Sequence, residues 1–148
     1  MKHYYFAYGM NTNLDSMSQR CPGAEVLGAA RLEGYRFVFR QHADVELDYD
    51  SNVYGVLWAI DDDHLDSLDA FEGFPNYYIR SRAWVEHGGE WYIAWVYQMN
   101  DQSYSCSPSL SYVHMCMEGY NQNGVDTKQI EEALDLSDTK GLAFSFPQ

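Results

Sequence analysis

The sequence predicts an α+β domain whose mixed or mainly antiparallel sheet can curl into a barrel, and three observations carry that expectation. Strand-like and helix-like stretches follow the order strand, helix, several strands, helix, hairpin, helix, helix. The most apolar segment, residues 53–60 (VYGVLWAI), has no polar face and so belongs at the centre of a sheet. The 148 residues, 46% apolar and 16% aromatic, suffice for one compact domain over residues 1–148 with a sizeable core.

Each element has its own signal. Residues 4–8 (YYFAY) read as a buried strand that stops at Gly9. Asn11, Thr12 and Asn13 are N-cap types, and Leu14, Met17 and Ser18 follow at helical spacing. A short helix should therefore run to Arg20, before Cys21-Pro22-Gly23 ends it. Residues 25–40 hold two strand-like stretches around a bend at Glu33-Gly34. Residues 42–52 are acidic and poor in large apolar side chains, and are expected as an exposed excursion. Asp61, Asp62 and Asp63 open a helix whose buried side is marked by Leu65 and Leu68, and Gly73 with Pro75 closes it. Residues 77–86 and 90–99 form a hairpin across His87-Gly88-Gly89. Pro108 suits a helix first turn ahead of a helix over residues 110–120, and a last helix over 126–136 has Ile130 and Leu134 as its apolar pair.

Charge and composition exclude several functions. Acidic residues outnumber basic ones 22 to 9, a formal net charge of −13 that should repel nucleic-acid polymers and anionic membranes alike. No apolar run approaches the roughly 20 residues of a spanning helix. The opening MKHYYFAYGM lacks the small-residue cleavage pattern of a signal peptide. Cys21, Cys106 and Cys116 are odd in number and widely spaced, which suits free thiols in a cytoplasmic, reducing compartment. His114-x-Cys116 lacks a second ligand pair at zinc-like spacing, and helix capping accounts for the Asp61–Asp63 run, so no metal is expected.

The most informative residue is Glu72. Positions 65, 68 and 72 are spaced by three and four, so Glu72 shares the apolar stripe of Leu65 and Leu68. It also sits in the last helical turn, where exposed carbonyl groups disfavour an anion. Burial and the helix end both raise a carboxylate's proton affinity, as a general base near neutral pH requires. The plain alternatives are a frayed helix end or a pairing with Arg80 or Arg82. A second feature is FAYGMNTN, where a strand ends in Gly9 and turns into a helix start. Main-chain N–H groups along such a bend suit a carboxylate or an oxyanion without a basic side chain, though an ordinary strand-to-helix turn has the same pattern.

Together these residues resemble the gamma-glutamylcyclotransferases (the AIG2-like superfamily). FAYGMN is similar to that family's FAYGSN loop, and LDAFEG to its LDxxEG segment, which carries the catalytic Glu. ARLEGYRFVF, YGVLW, FEGFPNYYIR and PSLSYVHMCMEGYNQNG extend the resemblance, in order, over most of the chain. It implies a small mixed β-barrel with flanking helices and a pocket at one end. It also implies a reaction that needs no metal or organic cofactor: the α-amine of a gamma-glutamyl group attacks its own side-chain carbonyl, giving 5-oxoproline and a free amine. By this resemblance Glu72 is the acid/base, main-chain groups of Tyr8, Gly9, Met10 and Asn11 hold the substrate, and Tyr78 and Tyr112 wall the pocket. Met10 stands where the family usually has Ser, removing a hydroxyl and bringing in a flexible apolar side chain. The partner implied is a small gamma-glutamyl metabolite; a binder without catalysis, or a related lyase or transferase, would use the same pocket. The sequence leaves monomer and homodimer equally open.

Overall fold

The structure is a computed structural model that describes residues 2–137. Its elements are β1 (His3–Ala7), a 3₁₀ turn (Met10–Thr12), α1 (Leu14–Arg20), β2 (Glu25–Arg40), β3 (His42–Ile60), α2 (Asp62–Glu72), β4 (Tyr78–His87), β5 (Glu90–Met99), α3 (Leu110–Asn123) and α4 (Lys128–Ser137). The strands close into a barrel in the order β1-β3-β2-β4-β5. Every seam is antiparallel except that between β1 and β5, which is parallel at Tyr5↔Trp95, so the barrel is mixed as expected.

The apolar run at 53–60 is central. It pairs with β1 on one side (Tyr5↔Trp58, Ala7↔Val56) and with β2 on the other (Ala29↔Val56, Leu32↔Val53). Val53, Val56, Leu57 and Ile60 are fully buried. Gly55 allows β1 to lie against this strand, because a Cβ there would collide with the Ala7 carbonyl oxygen. The bend at Glu33-Gly34 is a break in register within one long strand, with Gly34 at φ +84°.

The largest correction concerns the acidic segment after Arg40. Residues 42–52 are not an excursion but the first part of β3, zipped to β2 from Arg40↔His42 through Tyr35↔Leu47 to Glu33↔Asn52. Ala43, Asp44 and Val45 are buried, and only the stretch around Leu47 and Tyr49 stands open. The acidic composition misleads because Asp44 is fully satisfied: its carboxylate accepts from Arg40 Nη1 (2.8 Å), Val45 N (2.8 Å), Met99 N (2.9 Å) and Gln102 Nε2 (3.0 Å). With that many donors, burying the charge no longer costs what an unpaired carboxylate would.

Local chemistry sets the helix ends. Asn13 alone of the three candidates caps α1, accepting from Asp15 N and Ser16 N, while Asn11 and Thr12 form the 3₁₀ turn before it. Asp61 caps α2 by accepting from His64 N (2.9 Å), and Asp61 N donates to His64 Nδ1 (3.1 Å). That donation leaves the proton on Nε2, which gives it to the Pro22 carbonyl at 2.6 Å and ties α2 to the loop after α1. Leu65 and Leu68 face the core, and Gly73 ends the helix at φ +67°. Helix α3 begins after Ser109, whose side chain accepts from Tyr112 N, so Pro108 precedes the cap and lies outside the first turn. The last helix starts at Lys128, two residues later than expected, because the Asp126 side chain accepts the Lys128 N–H (2.9 Å) in a turn ahead of it. Its Ile130 and Leu134 are buried. Gly119 lets α3 dock against the 3₁₀ turn: a Cβ there would strike Thr12 and the Asn13 main chain. Among the described residues no helix is long and apolar enough to cross a membrane.

Candidate active site

A cavity of about 130 Å³ lies where the end of β1, the 3₁₀ turn, the β2–β3 corner, the last turn of α2 and the start of β4 converge. All seven residues singled out from the sequence line it: Glu72, Tyr8, Gly9, Met10, Asn11, Tyr78 and Tyr112. Topology brings them together, since β1 runs along β3 into the Gly9 bend, α1 packs on α2, and α3 packs on the 3₁₀ turn.

Glu72 is half-buried in the last turn of α2. Neither cation proposed as its partner reaches it. Arg80 instead grips Asp69 with two hydrogen bonds (2.8 and 3.0 Å), and Arg82 lies over the Trp95 ring, 4.6 Å from its centre. The carboxylate of Glu72 receives a long hydrogen bond from Asn11 Nδ2 (3.4 Å), which also donates to the Tyr5 hydroxyl at 2.9 Å. Burial pushes Glu72 up to about 7, with Arg20 as the opposing positive charge.

The Gly9 bend lies along the cavity wall. A Cβ at Gly9 would come within 2.9 Å of both the Ala43 methyl and the Tyr112 hydroxyl, so only glycine lets the backbone pass so close. Carbonyl groups in the bend are used internally, by Thr12 N on Gly9 O (3.1 Å) and Asn13 N on Met10 O (3.0 Å). The N–H groups of Gly9, Met10 and Asn11 have no acceptor among the described residues. Met10 adds its thioether to the rim, with Sδ 3.9 Å from Arg20 Nη2.

Aromatic rings complete the walls. The Tyr78 hydroxyl donates to Ala43 O (2.6 Å) and the Tyr112 hydroxyl accepts from Ala43 N (3.0 Å), so one residue of β3 anchors both rings. Tyr8 donates to Tyr97 O (2.7 Å) and accepts at its own carbonyl from Tyr120 (2.6 Å). Burial raises the phenols of Tyr5, Tyr8, Tyr78 and Tyr112 well above the ordinary tyrosine range, so they stand neutral. His42, hydrogen-bonded through Nδ1 to the Tyr77 hydroxyl (2.9 Å), is depressed by burial. No Lys or Arg is among the described lining residues.

Sequence reasoning missed Tyr5, Phe6, His42, Ala43, Phe71, Tyr77 and Tyr97 as lining residues. Tyr5 sits within the apolar run of β1 and could have been found as a second inward phenol there. Tyr97 and Ala43 could not, because barrel closure and a main-chain contact bring them in. Among the described residues no three His, Cys, Asp or Glu side chains group as a metal site would.

A closed barrel whose cavity gathers a carboxyl raised toward neutrality, the main chain of the Gly9 bend and a shell of tyrosines defines a small-molecule pocket. The family described as gamma-glutamyl cyclotransferase, AIG2-like, matches residues 5–114, a span that includes every lining residue from Tyr5 to Tyr112, and the chain belongs to it. The gamma-glutamylcyclotransferase of Bos taurus is 27% identical over 153 residues, covering 93% of this chain and 81% of its own length. That of Homo sapiens is 26% identical over the same share. A solved gamma-glutamyl cyclotransferase structure superimposes with a TM-score of 0.81 at 25% identity, covering 90% of this chain and 86% of the other.

Proposed function

We propose that this protein cyclises a small gamma-glutamyl amine or peptide to 5-oxoproline and releases the amine, with Glu72 as the proton shuttle. The observation that carries this reading is the pairing, in one cavity, of a half-buried carboxyl held at about 7 with the free N–H groups of the Gly9 bend. Membership of the family and the two mammalian relatives support the reaction class.

The substrate carries its own nucleophile, so proximity supplies much of the rate. Its α-ammonium must first lose a proton, and Glu72 in its carboxylate form accepts it. The amine nitrogen then bonds to the side-chain carbonyl carbon. Negative charge gathers on the carbonyl oxygen, where main-chain N–H groups of Gly9, Met10 and Asn11 stabilise it. As the ring closes, the bond to the leaving nitrogen breaks and Glu72 returns its proton there, while the attacking nitrogen gives up its second proton so that the amine departs as its ammonium form. Tyr78 and Tyr112, neutral and anchored to Ala43, shape the walls without competing for that proton. Three free thiols, two of them buried, fit a reducing, cytoplasmic setting.

The test is release of 5-oxoproline from a panel of gamma-glutamyl amines and dipeptides by wild-type protein and Glu72→Gln. The amide keeps the shape but cannot shuttle a proton, so turnover should fall on the order of 10³-fold with no loss of folding. Wild-type turnover in that variant would overturn the role of Glu72. Stoichiometric retention of a ligand without product would mark a binder in place of an enzyme.

A further inference from the structure

We propose that Arg20, which lies outside the cavity wall, is the positioning residue for Glu72: its guanidinium, laid on the Phe71 ring, fixes the Asn11 amide so that Nδ2 faces the carboxylate. The proposal rests on the cyclotransferase reading only for its kinetic consequence. Arg20 is the last residue of α1, and its guanidinium carbon stands 3.4 Å from the centre of the Phe71 ring, next in sequence to Glu72. Through Nη1 it donates to Asn11 Oδ1.

An amide side chain has one acceptor and one donor end, and the environment decides which faces where. Asn11 is 4% exposed, and its main-chain carbonyl is held by Trp58 Nε1 at 3.1 Å. Only the side-chain torsion is left to choose. With Arg20 taking Oδ1, the donor end must face Tyr5 and Glu72, which is the observed arrangement. Turned over, the amide would put its oxygen against the carboxylate and its NH₂ against a cation. Arg20 therefore selects the orientation that favours ionised Glu72, and it does so from the far side of the asparagine.

Other titratable groups around Glu72 cannot take this role. Tyr5, Tyr78, Tyr97 and Tyr112 on β1, β4, β5 and α3, with Tyr8 and Tyr77 at the ends of β1 and β4, feel the charge of Glu72, and all are raised above the ordinary tyrosine range, chiefly by burial. They carry no charge near neutral pH. His42, on the β2–β3 corner, is depressed by burial and is neutral there too. Arg20 is the cation among them.

The experiment is a ¹³C NMR titration of the Glu72 side-chain carboxyl, assigned by its loss in Glu72→Gln, in wild type, Arg20→Gln, Arg20→Lys and Phe71→Leu. The midpoint is expected to rise by about one pH unit in Arg20→Gln. It should rise less, but in the same direction, in Phe71→Leu, which removes the platform and keeps the cation. Arg20→Lys should return it at least halfway to wild type. The acid limb of kcat/KM should move with the midpoint. If Arg20→Gln does not fold, Phe71→Leu and Arg20→Lys carry the test. A second check is the cycle of Arg20→Gln with Asn11→Ala, whose effects on the midpoint should be well short of additive if Arg20 acts through Asn11. Unchanged midpoints would reduce Arg20 to a brace between α1 and α2, and fully additive effects would make it a charge acting on Glu72 independently of Asn11; either overturns the proposal. Because the titration needs no turnover, an inactive protein would sink the cyclotransferase reading while leaving this one to be decided separately.

Discussion

Asp69 and Glu72 stand three residues apart on one face of α2, yet their surroundings drive them in opposite directions. Burial pushes Asp69 upward, but two hydrogen bonds from Arg80 and one from the Tyr97 hydroxyl (2.6 Å) outweigh it and hold the group below the ordinary carboxylate range. Glu72 has only the long contact from Asn11 and a more distant cation, and burial wins. The two share a helix and a charge type. What separates them is heavier burial at Glu72 together with fewer donors within reach, so a role in proton transfer follows from how deeply an acid is buried and how sparsely it is partnered.

The contrast can be broken from either side. The largest effect belongs to Glu72→Gln, whose loss of turnover on the order of 10³-fold would be read as 5-oxoproline release. Asp69→Asn should leave most of the rate, since its partner set is structural. Next in size, Arg80→Ala strands Asp69 with Tyr97 alone, and urea unfolding should show a loss of about 2 to 3 kcal/mol. Its pH–rate profile should keep the acid limb near 7, because that limb belongs to Glu72.

A smaller effect concerns stability and runs the other way. A carboxyl raised in the folded state adds stability below its unfolded value, and that stability is lost as pH rises toward 7. Above that point the native state holds an anion it disfavours. Glu72→Gln removes the penalty, so it should stabilise the protein by about 1 to 2 kcal/mol at about pH 8 and by almost nothing at about pH 4. Smallest of all, Met10→Ser should leave both carboxyl titrations in place. It should shift preference within the substrate panel by less than about tenfold, away from apolar amines.

Much of this was legible in the chain. Glu72 stood out because a charged residue on the stripe of Leu65 and Leu68 breaks the pattern, and the FAYGMN bend announced itself by a strand that stops at glycine. The barrel's central strand was plain from VYGVLWAI. What stayed hidden shares a physical cause. Asp44 looked exposed because its donors come from Arg40, Met99 and Gln102, and only folding brings the last two near. Tyr97 entered the cavity through the parallel seam between β1 and β5, a pairing that no local periodicity encodes. Arg20 marked only the end of a helix in the sequence, while in the fold its guanidinium lies on Phe71 and grips Asn11. Patterns of spacing report which face a residue takes; they do not report who meets it there.

The cavity draws on Tyr5 at one extreme and Tyr112 at the other, and its first wall, β1, is held by strands that come much later in the chain. A polypeptide emerging from the ribosome thus cannot recognise its metabolite until Tyr112 is out, so added ligand should protect the finished protein while doing nothing for a nascent chain arrested after β3.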